Sequence, residues 1–363
     1  MLSGGRKTLL LWFTLLALTV NILPAQQANC AYCGGRIKGE YVRYEGKYYH
    51  KFCYEKVAPR CAYCKEIIEG EYVYFEDKIY HKQCYLNHIA LRCAICRELI
   101  EGDYVENDGK KYHKHCYLEH IALHCTICGE PITSSYKTNF WGDEYHTEHD
   151  DEYSRCDYCQ RLITEKTTGG GRKYSDGRHI CNLCYEDAVL TDAKALSLFR
   201  EVQSKLDARG IDVDLSKVPL FMVDKFELAE KSGDYNPKEL GFTSYEETSM
   251  NGEMIARSNV IYTLTGLPEM IFKGVVAHEM MHVWMNLNTD HGHSPSLCEG
   301  AANYASYLIY SKESGKYAEF LIDVLNKDTD SIYGIGYRKV KNYIDQNGLY
   351  AFMKYLKYYK DLP

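Results

Sequence analysis

The chain has no surplus of basic residues: 43 Lys and Arg stand against 50 Asp and Glu, a net charge of −7 over 363 residues. A nucleic-acid binder normally presents a basic face, so this balance argues against that class. Long apolar runs are scarce as well. The one candidate is N-terminal, where Arg6 and Lys7 precede an apolar stretch from Leu9 to Leu23 and then Pro24, Ala25 and Gln26. Interrupted by Asn21, it falls short of the ~20 apolar residues that span a bilayer. Its charge, apolar core and small-residue exit match a secretory signal. The expectation is a signal peptide over residues 1–25 and an exported protein, secreted or periplasmic, with a membrane anchor formed by an uncleaved segment as the alternative. Cys30 lacks the apolar and small residues that precede a lipidated cysteine. Hydrophobic residues at 45% and charged residues at 26% argue against a disordered chain, and the length suits two or three domains.

Cysteine and tyrosine are plentiful, 16 and 34 of them, and a repeat concentrates both. Cys-x-x-Cys pairs begin at Cys30, Cys61, Cys93, Cys125 and Cys156, a period of 31 or 32 residues. The first three units continue with His50 and Cys53, His81 and Cys84, and His113 and Cys116, each reached through alternating Tyr and Val and a Gly or Asp turn that suggest a hairpin. The complete sets are Cys30, Cys33, His50, Cys53; Cys61, Cys64, His81, Cys84; and Cys93, Cys96, His113, Cys116. The fourth unit offers Cys125, Cys128, His146 and His149, the fifth Cys156, Cys159, Cys181 and Cys184. Two cysteines two residues apart take adjacent corners of a tetrahedron from one tight turn, and a hairpin returns the other two ligands to about 2.0–2.3 Å from zinc. Units this small bury too little core to fold alone, and metal supplies the difference. The sets use 15 of the 16 cysteines and leave Cys298. A disulfide framework is the alternative for an exported chain. It strands a thiol in each of the first three units and leaves the regular histidines unexplained. His88, His120 and His124 read as solvated positions, and His115 and His179 as neighbours of ligands.

From about Ala188 the zinc pattern stops and helical periodicity begins, closed by Gly210, with extended stretches at 218–223 and 259–266. Pro268 and Glu269 then open a helix that carries His278, Glu279 and His282. Residues four apart share a helix face, so the two imidazoles can address one metal while Glu279 points aside, toward water. Val275, Val276, Met280, Met281, Val283 and Trp284 make the surroundings apolar, and a buried His-Glu-His cluster without a metal is costly. A catalytic zinc takes three protein ligands and leaves one position open. Glu299, opening a second apolar helix, is the preferred third ligand; His291 and His293 are its rivals. Asn303, one turn beyond Glu299, is placed to hold the far nitrogen of a ligand histidine. Glu279 is then the general base of peptide hydrolysis. Residues Asn259–Leu264 are expected as a sheet edge that pairs with an extended peptide. The segment YGIGYR at 333–338 is expected as a loop aiming Tyr333, Tyr337 or Arg338 at the oxyanion.

The stretches GLPEMIFKGVVAHEMMHVWMNL, CEGAAN and YGIGYRKVKNYIDQNGL, with SRCDYCQRL, HICNLCYEDAV, PLFMVDKFEL and GFTSYEET before them, resemble the DA-one peptidases, plant regulators of organ size. The likeness covers roughly residues 90–363. It implies LIM and LIM-like zinc modules and a gluzincin-type peptidase, and it carries over His278 and His282 as zinc ligands, Glu299 as the third, and Glu279 as the base. The expected architecture is multi-domain: three tandem small β-rich LIM-type modules over 30–118, a LIM-like zinc pair over 119–187, and an α+β gluzincin-like zinc metallopeptidase domain over 188–363. Known members start with ubiquitin-interacting motifs and act inside the cell. This sequence shows none of those motifs, and its first units keep seven or eight residues between zinc sets where a standard LIM domain has two. No ubiquitin dependence is therefore expected.

The reading that results is a zinc peptidase, expected to be an endopeptidase, with one catalytic and about five structural zinc ions. It acts on protein or peptide substrates and meets protein partners through its zinc modules. A non-catalytic zinc-module scaffold or adhesion protein is the alternative. A thiol-redox role is disfavoured by the accompanying histidines and by the lack of a thioredoxin-like pattern.

Overall fold

The computed structural model describes residues 15–16, 20–21, 28–233, 235–250, 253–289 and 292–361. The expected signal peptide lies outside them except for two two-residue strands, Leu15–Leu16 and Val20–Asn21. Among the described residues no helix is long and apolar enough to cross a membrane. The chain forms two compact units, Met1–Leu123 and His124–Pro363.

The first unit contains three hairpins, Tyr41–Tyr44 with Lys47–His50, Gly70–Phe75 with Lys78–His81, and Tyr104–Asn107 with Lys110–His113. Each turns through two successive residues of positive φ: Glu45 and Gly46, Glu76 and Asp77, Asp108 and Gly109. Two such residues match the right-handed twist of a hairpin, which is why Gly, Asp and Glu recur there. The register sets Tyr41 opposite His50, Tyr72 opposite His81 and Tyr104 opposite His113. That histidine ends the hairpin and precedes the short helix bearing the last cysteine of its set. The cores are small; in the first module Cys30, Tyr49, Cys53, Tyr54 and Ala58 form the buried cluster.

In the second unit the fourth and fifth modules lead into helix α1 (Asp192–Asp207), strand β1 (Leu220–Val223), α2 (Lys225–Ser232), β2 (Gly241–Met250), β3 (Glu253–Leu264), α3 (Glu269–Asn288), α4 (Pro295–Tyr310), α5 (Lys316–Lys327), α6 (Tyr333–Asn347) and α7 (Leu349–Tyr355). Thr191 and Ser294 cap α1 and α4, and Asp224 with Glu227 forms a reciprocal cap on α2. The sheet order is β1-β3-β2, with β1 parallel and β2 antiparallel to β3. Residues Asn259–Leu264 are thus central, not the expected edge. Both neighbours of β3 pair along this stretch, so its backbone groups are spent inside the sheet. The edge is β2. Helix α3 is apolar on all sides and lies buried between sheet and helices.

One continuous core joins the fifth module to this domain, from Cys156 to Leu356. Tyr174 donates its hydroxyl proton to Gly266 O at 3.0 Å. Buried Arg178 donates to Thr265 O at 2.9 Å and to Tyr158 Oη at 2.6 Å, and pairs with Asp176, whose carboxylate also accepts from Lys225 N. From the fourth module, Trp141 donates to Cys159 O and packs on Phe320 of α5.

Candidate metal centres

All five Cys/His sets come together, each with its ligand atoms within 4.8 Å of one another. Within the sets Cys33 Sγ lies 3.5 Å from His50 Nδ1, Cys64 Sγ 3.3 Å from His81 Nδ1, and Cys159 Sγ 3.6 Å from Cys181 Sγ. The edge of a tetrahedron at zinc bond lengths is about 3.3–3.8 Å. In four modules the histidine Nε2 faces a backbone carbonyl, those of Arg36, Ile67, Leu99 and Pro131, at 3.4, 3.0, 2.9 and 3.4 Å. A proton on Nε2 leaves the Nδ1 lone pair for the metal. His149 is reversed: its Nδ1 bonds Glu152 Oε2 at 2.6 Å, and its buried Nε2 has no hydrogen-bond partner. That orphaned nitrogen fits a metal ligand, and Glu152 is a supporting residue that sequence reasoning missed. At Cys30, Cys61, Cys93 and Cys125 burial opposes the thiolate, but backbone N–H groups outweigh it and lower the pKa to about 6. These are zinc-binding groups. His115 flanks the third set, its ring stacked on His113.

The second unit holds another convergence. His278 Nε2 lies 3.1 Å from Glu299 Oε2 and 3.2 Å from His282 Nε2, and His282 Nε2 lies 3.7 Å from Glu299 Oε2. Three donors with such edges suit a metal at 2.0–2.2 Å and leave a fourth corner. His278 Nδ1 donates to Asn303 Oδ1 at 3.0 Å, which turns Nε2 toward the cluster; Asn303 Nδ2 in turn donates to Tyr333 O. Burial disfavours charge on His278, yet Glu299 and Glu279 outweigh it and raise its pKa. Burial likewise opposes ionisation of Glu299, and hydrogen bonds from His278 and His282 hold its carboxyl far below the usual range. The geometry brings together His278, His282 and Glu299 and not the rivals: His293 turns away to bond Leu356 O at 2.8 Å, and His291 lies outside the described residues.

Glu279 is 5% exposed and accepts a hydrogen bond from Thr243 Oγ1 at 2.7 Å. Thr243 belongs to β2, which reaches the helix because residue 241 is glycine: a Cβ there would meet Val275 Cγ1 at 2.6 Å and Glu279 Oε1 at 3.0 Å. Neither Gly241 nor Thr243 was legible as part of the site. Beside Glu299, a Cβ on Gly300 would lie 2.5 Å from the Gly336 carbonyl, so paired glycines let α4 and α6 touch.

The segment at 333–338 is the first turn of α6 and not a loop. Tyr333 lines the cavity over the cluster, and burial with the nearby Glu299 and Glu279 raises its pKa to about 12. Tyr337 is fully buried and does not line that cavity. Its helix phase turns it against Tyr307, which removes it as an oxyanion donor. Arg338 is spent on the carbonyls of Asn326 and Asp328. The cavity measures 1060 Å³ and is lined by His278, Glu279, His282 and Glu299, by the β2 edge from Gly241 to Thr243, and by α5.

Five zinc-binding modules beside a domain with a three-donor cluster define a LIM-type zinc protein, and comparison agrees. The LIM domain matches residues 30–89 and again 61–121, so the second module serves in both matches. The family described as DA1-like, Protein DA1, matches residues 239–313, which hold Gly241, Thr243, His278, Glu279, His282, Glu299 and Asn303. The LIM domain-containing protein HDR3 of Oryza sativa subsp. japonica is 24% identical over 286 residues, 60% of this chain and 56% of that protein. Protein DA1 of Arabidopsis thaliana is 24% identical over 275 residues, 60% of this chain and 51% of its own length. Protein DA1-related 2 of Arabidopsis thaliana is 25% identical over 205 residues, 48% and 38% of the two chains. The chain is similar to the DA1 family over these spans. It spans about half the length of the curated relatives it matches.

Proposed function

We propose that the chain is a zinc-dependent peptidase, an endopeptidase of the gluzincin type, acting on protein substrates. The carrying observation is the convergence of His278, His282 and Glu299 beside buried Glu279, all opening on one cavity with the edge strand β2. His278, His282 and Glu299 would hold a zinc ion, which would supply Lewis acidity and lower the pKa of the attacking water toward about 7. Glu279 takes the proton of the attacking water and returns it to the leaving amine. Thr243 holds that carboxylate in place, and Asn303 holds the His278 ring. A substrate strand pairs with the outer side of Gly241–Tyr245, where main-chain bonds give sequence-tolerant grip. Tyr333 is assigned to the oxyanion, since it lines the same cavity. The LIM-type modules supply protein partners, and export follows from the N-terminal segment.

The test compares Glu279→Gln with Glu299→Gln. The first is to abolish hydrolysis while keeping six zinc ions, five structural and one catalytic; the second is to lose the sixth ion. Hydrolysis by Glu279→Gln at the parent rate overturns the mechanism and leaves the scaffold reading.

A further inference from the structure

The cavity changes character along its length. On α3 one stripe faces it: Ile271, Val275, His278, Glu279 and His282. At 1.5 Å per residue, Val275 lies about 4.5 Å and Ile271 about 10 Å along the axis from His278. Beyond the metal cluster, Ile271 and Val275 meet Phe320, Leu321, Val324 and Leu325 of α5 across the cavity. None of these six side chains carries a polar atom. Ile271, Val275, Phe320 and Leu321 are buried, while Val324 is 47% exposed and marks the mouth. The charged Asp328 and Asp330 belong to the turn after α5, where Asp330 caps Ile332 and Tyr333. Asp157, Tyr158, Gln160, Tyr310 and Ser306, whose hydroxyl is spent on Gly274 O, line the same cavity, and the stretch between Ile271, Val275 and α5 is an apolar pocket within it that adjoins the proposed reaction centre.

We propose that this pocket selects the substrate: it takes one large apolar side chain, of leucine or phenylalanine size, from a residue within about two positions of the cleaved bond. The inference rests on the peptidase reading. An extended peptide advances about 3.3 Å per residue, so a side chain one or two residues from the reacting carbonyl spans the distance from His278 to the pocket. A carboxylate there would lose its hydration without a partner, whereas a leucine would leave water for carbon on every side. The α5 wall is held from behind. Phe320 packs on Trp141 at 5.1 Å, and Trp141 is tied to Cys159 O and lies beneath Arg161. The fourth and fifth zinc modules thereby set the width of the pocket.

The experiment uses the full zinc-loaded chain and quenched peptides that differ at one position by Leu, Phe, Ala or Asp. One position near the cleaved bond is to favour Leu or Phe over Asp by about 100-fold in kcat/KM, a range that pocket contacts can supply. Val324→Lys, at the half-exposed mouth, is to cut that ratio at least about tenfold, because an ammonium there charges the apolar entrance and attracts the Asp side chain. Anisotropy with the Glu279→Gln chain reads binding of the same peptides without turnover. Apolar preference at no position, or a ratio unmoved by Val324→Lys, overturns the pocket. If no peptide is cleaved, the peptidase reading falls and binding decides: tighter binding of the Leu than the Asp peptide, abolished by Val324→Lys, supports the pocket, and equal binding overturns it.

Discussion

At the scale of the residue, the second unit separates groups that would hold metal from groups that would move protons. Glu279→Gln keeps the shape of the side chain but cannot accept a proton, so turnover should fall about 10²–10⁴-fold with zinc retained. Asn303→Ala frees the far nitrogen of His278 and should weaken zinc at this site about 10–100-fold, read by competition with a chelating dye. Tyr333→Phe tests the oxyanion assignment: loss of one preorganised donor costs about 10²–10³ in turnover, with zinc unchanged. Normal turnover by that variant withdraws the assignment. His278, Glu279 and His282 were legible because a helix puts residues four apart on one face, and Glu299 with Asn303 because they share that spacing. Thr243 and Glu152 were not. Each acts through one hydrogen bond to a residue far along the chain or on a neighbouring turn, and no periodicity marks such a partner.

At the scale of the element, what the sequence withheld is which strand is the edge and which segment bends. β3 alternates as a half-buried strand does, and alternation is the same for a central strand and an edge. Only pairing with β1 and β2 decides. YGIGYR reads as a loop because two glycines weaken a helix. Those glycines sit in α6 because neighbours come too close for a side chain: Gly336 against Ser296 and Gly334 against Asp328. Gly300→Ala should therefore force α4 from α6 and cost about 1–3 kcal/mol, as overpacking does. Calorimetry should show a lower Tm, and the displaced Glu299 should release the sixth zinc ion before the other five.

At the scale of the whole molecule, the two units store their stability differently. The modules of the first unit bury a handful of residues each, so their metal is their core. Binding of zinc in such peptides is worth about 10–16 kcal/mol per site. Strong chelation of the full chain should abolish amide protection over residues 30–121, measured by hydrogen exchange. Protection that survived metal removal, with intramolecular disulfides present, would sink the zinc assignment. In the second unit a broad apolar core adds to the metal, and ion pairs of Lys273 with Glu201 and Glu269 tie α1 to α3.

The fusion of the fifth module to the domain bears on how such a chain can change over generations. A module of the first unit closes its own ligand set, hairpin and small core, so gene duplication or loss can alter their number one bead at a time. Arg178 and Tyr174 hold Thr265 and Gly266, only a few residues ahead of α3, so the fifth module cannot be copied or dropped in that way. Array length is free to drift among relatives, whereas the piece from the fourth module onward must be inherited whole.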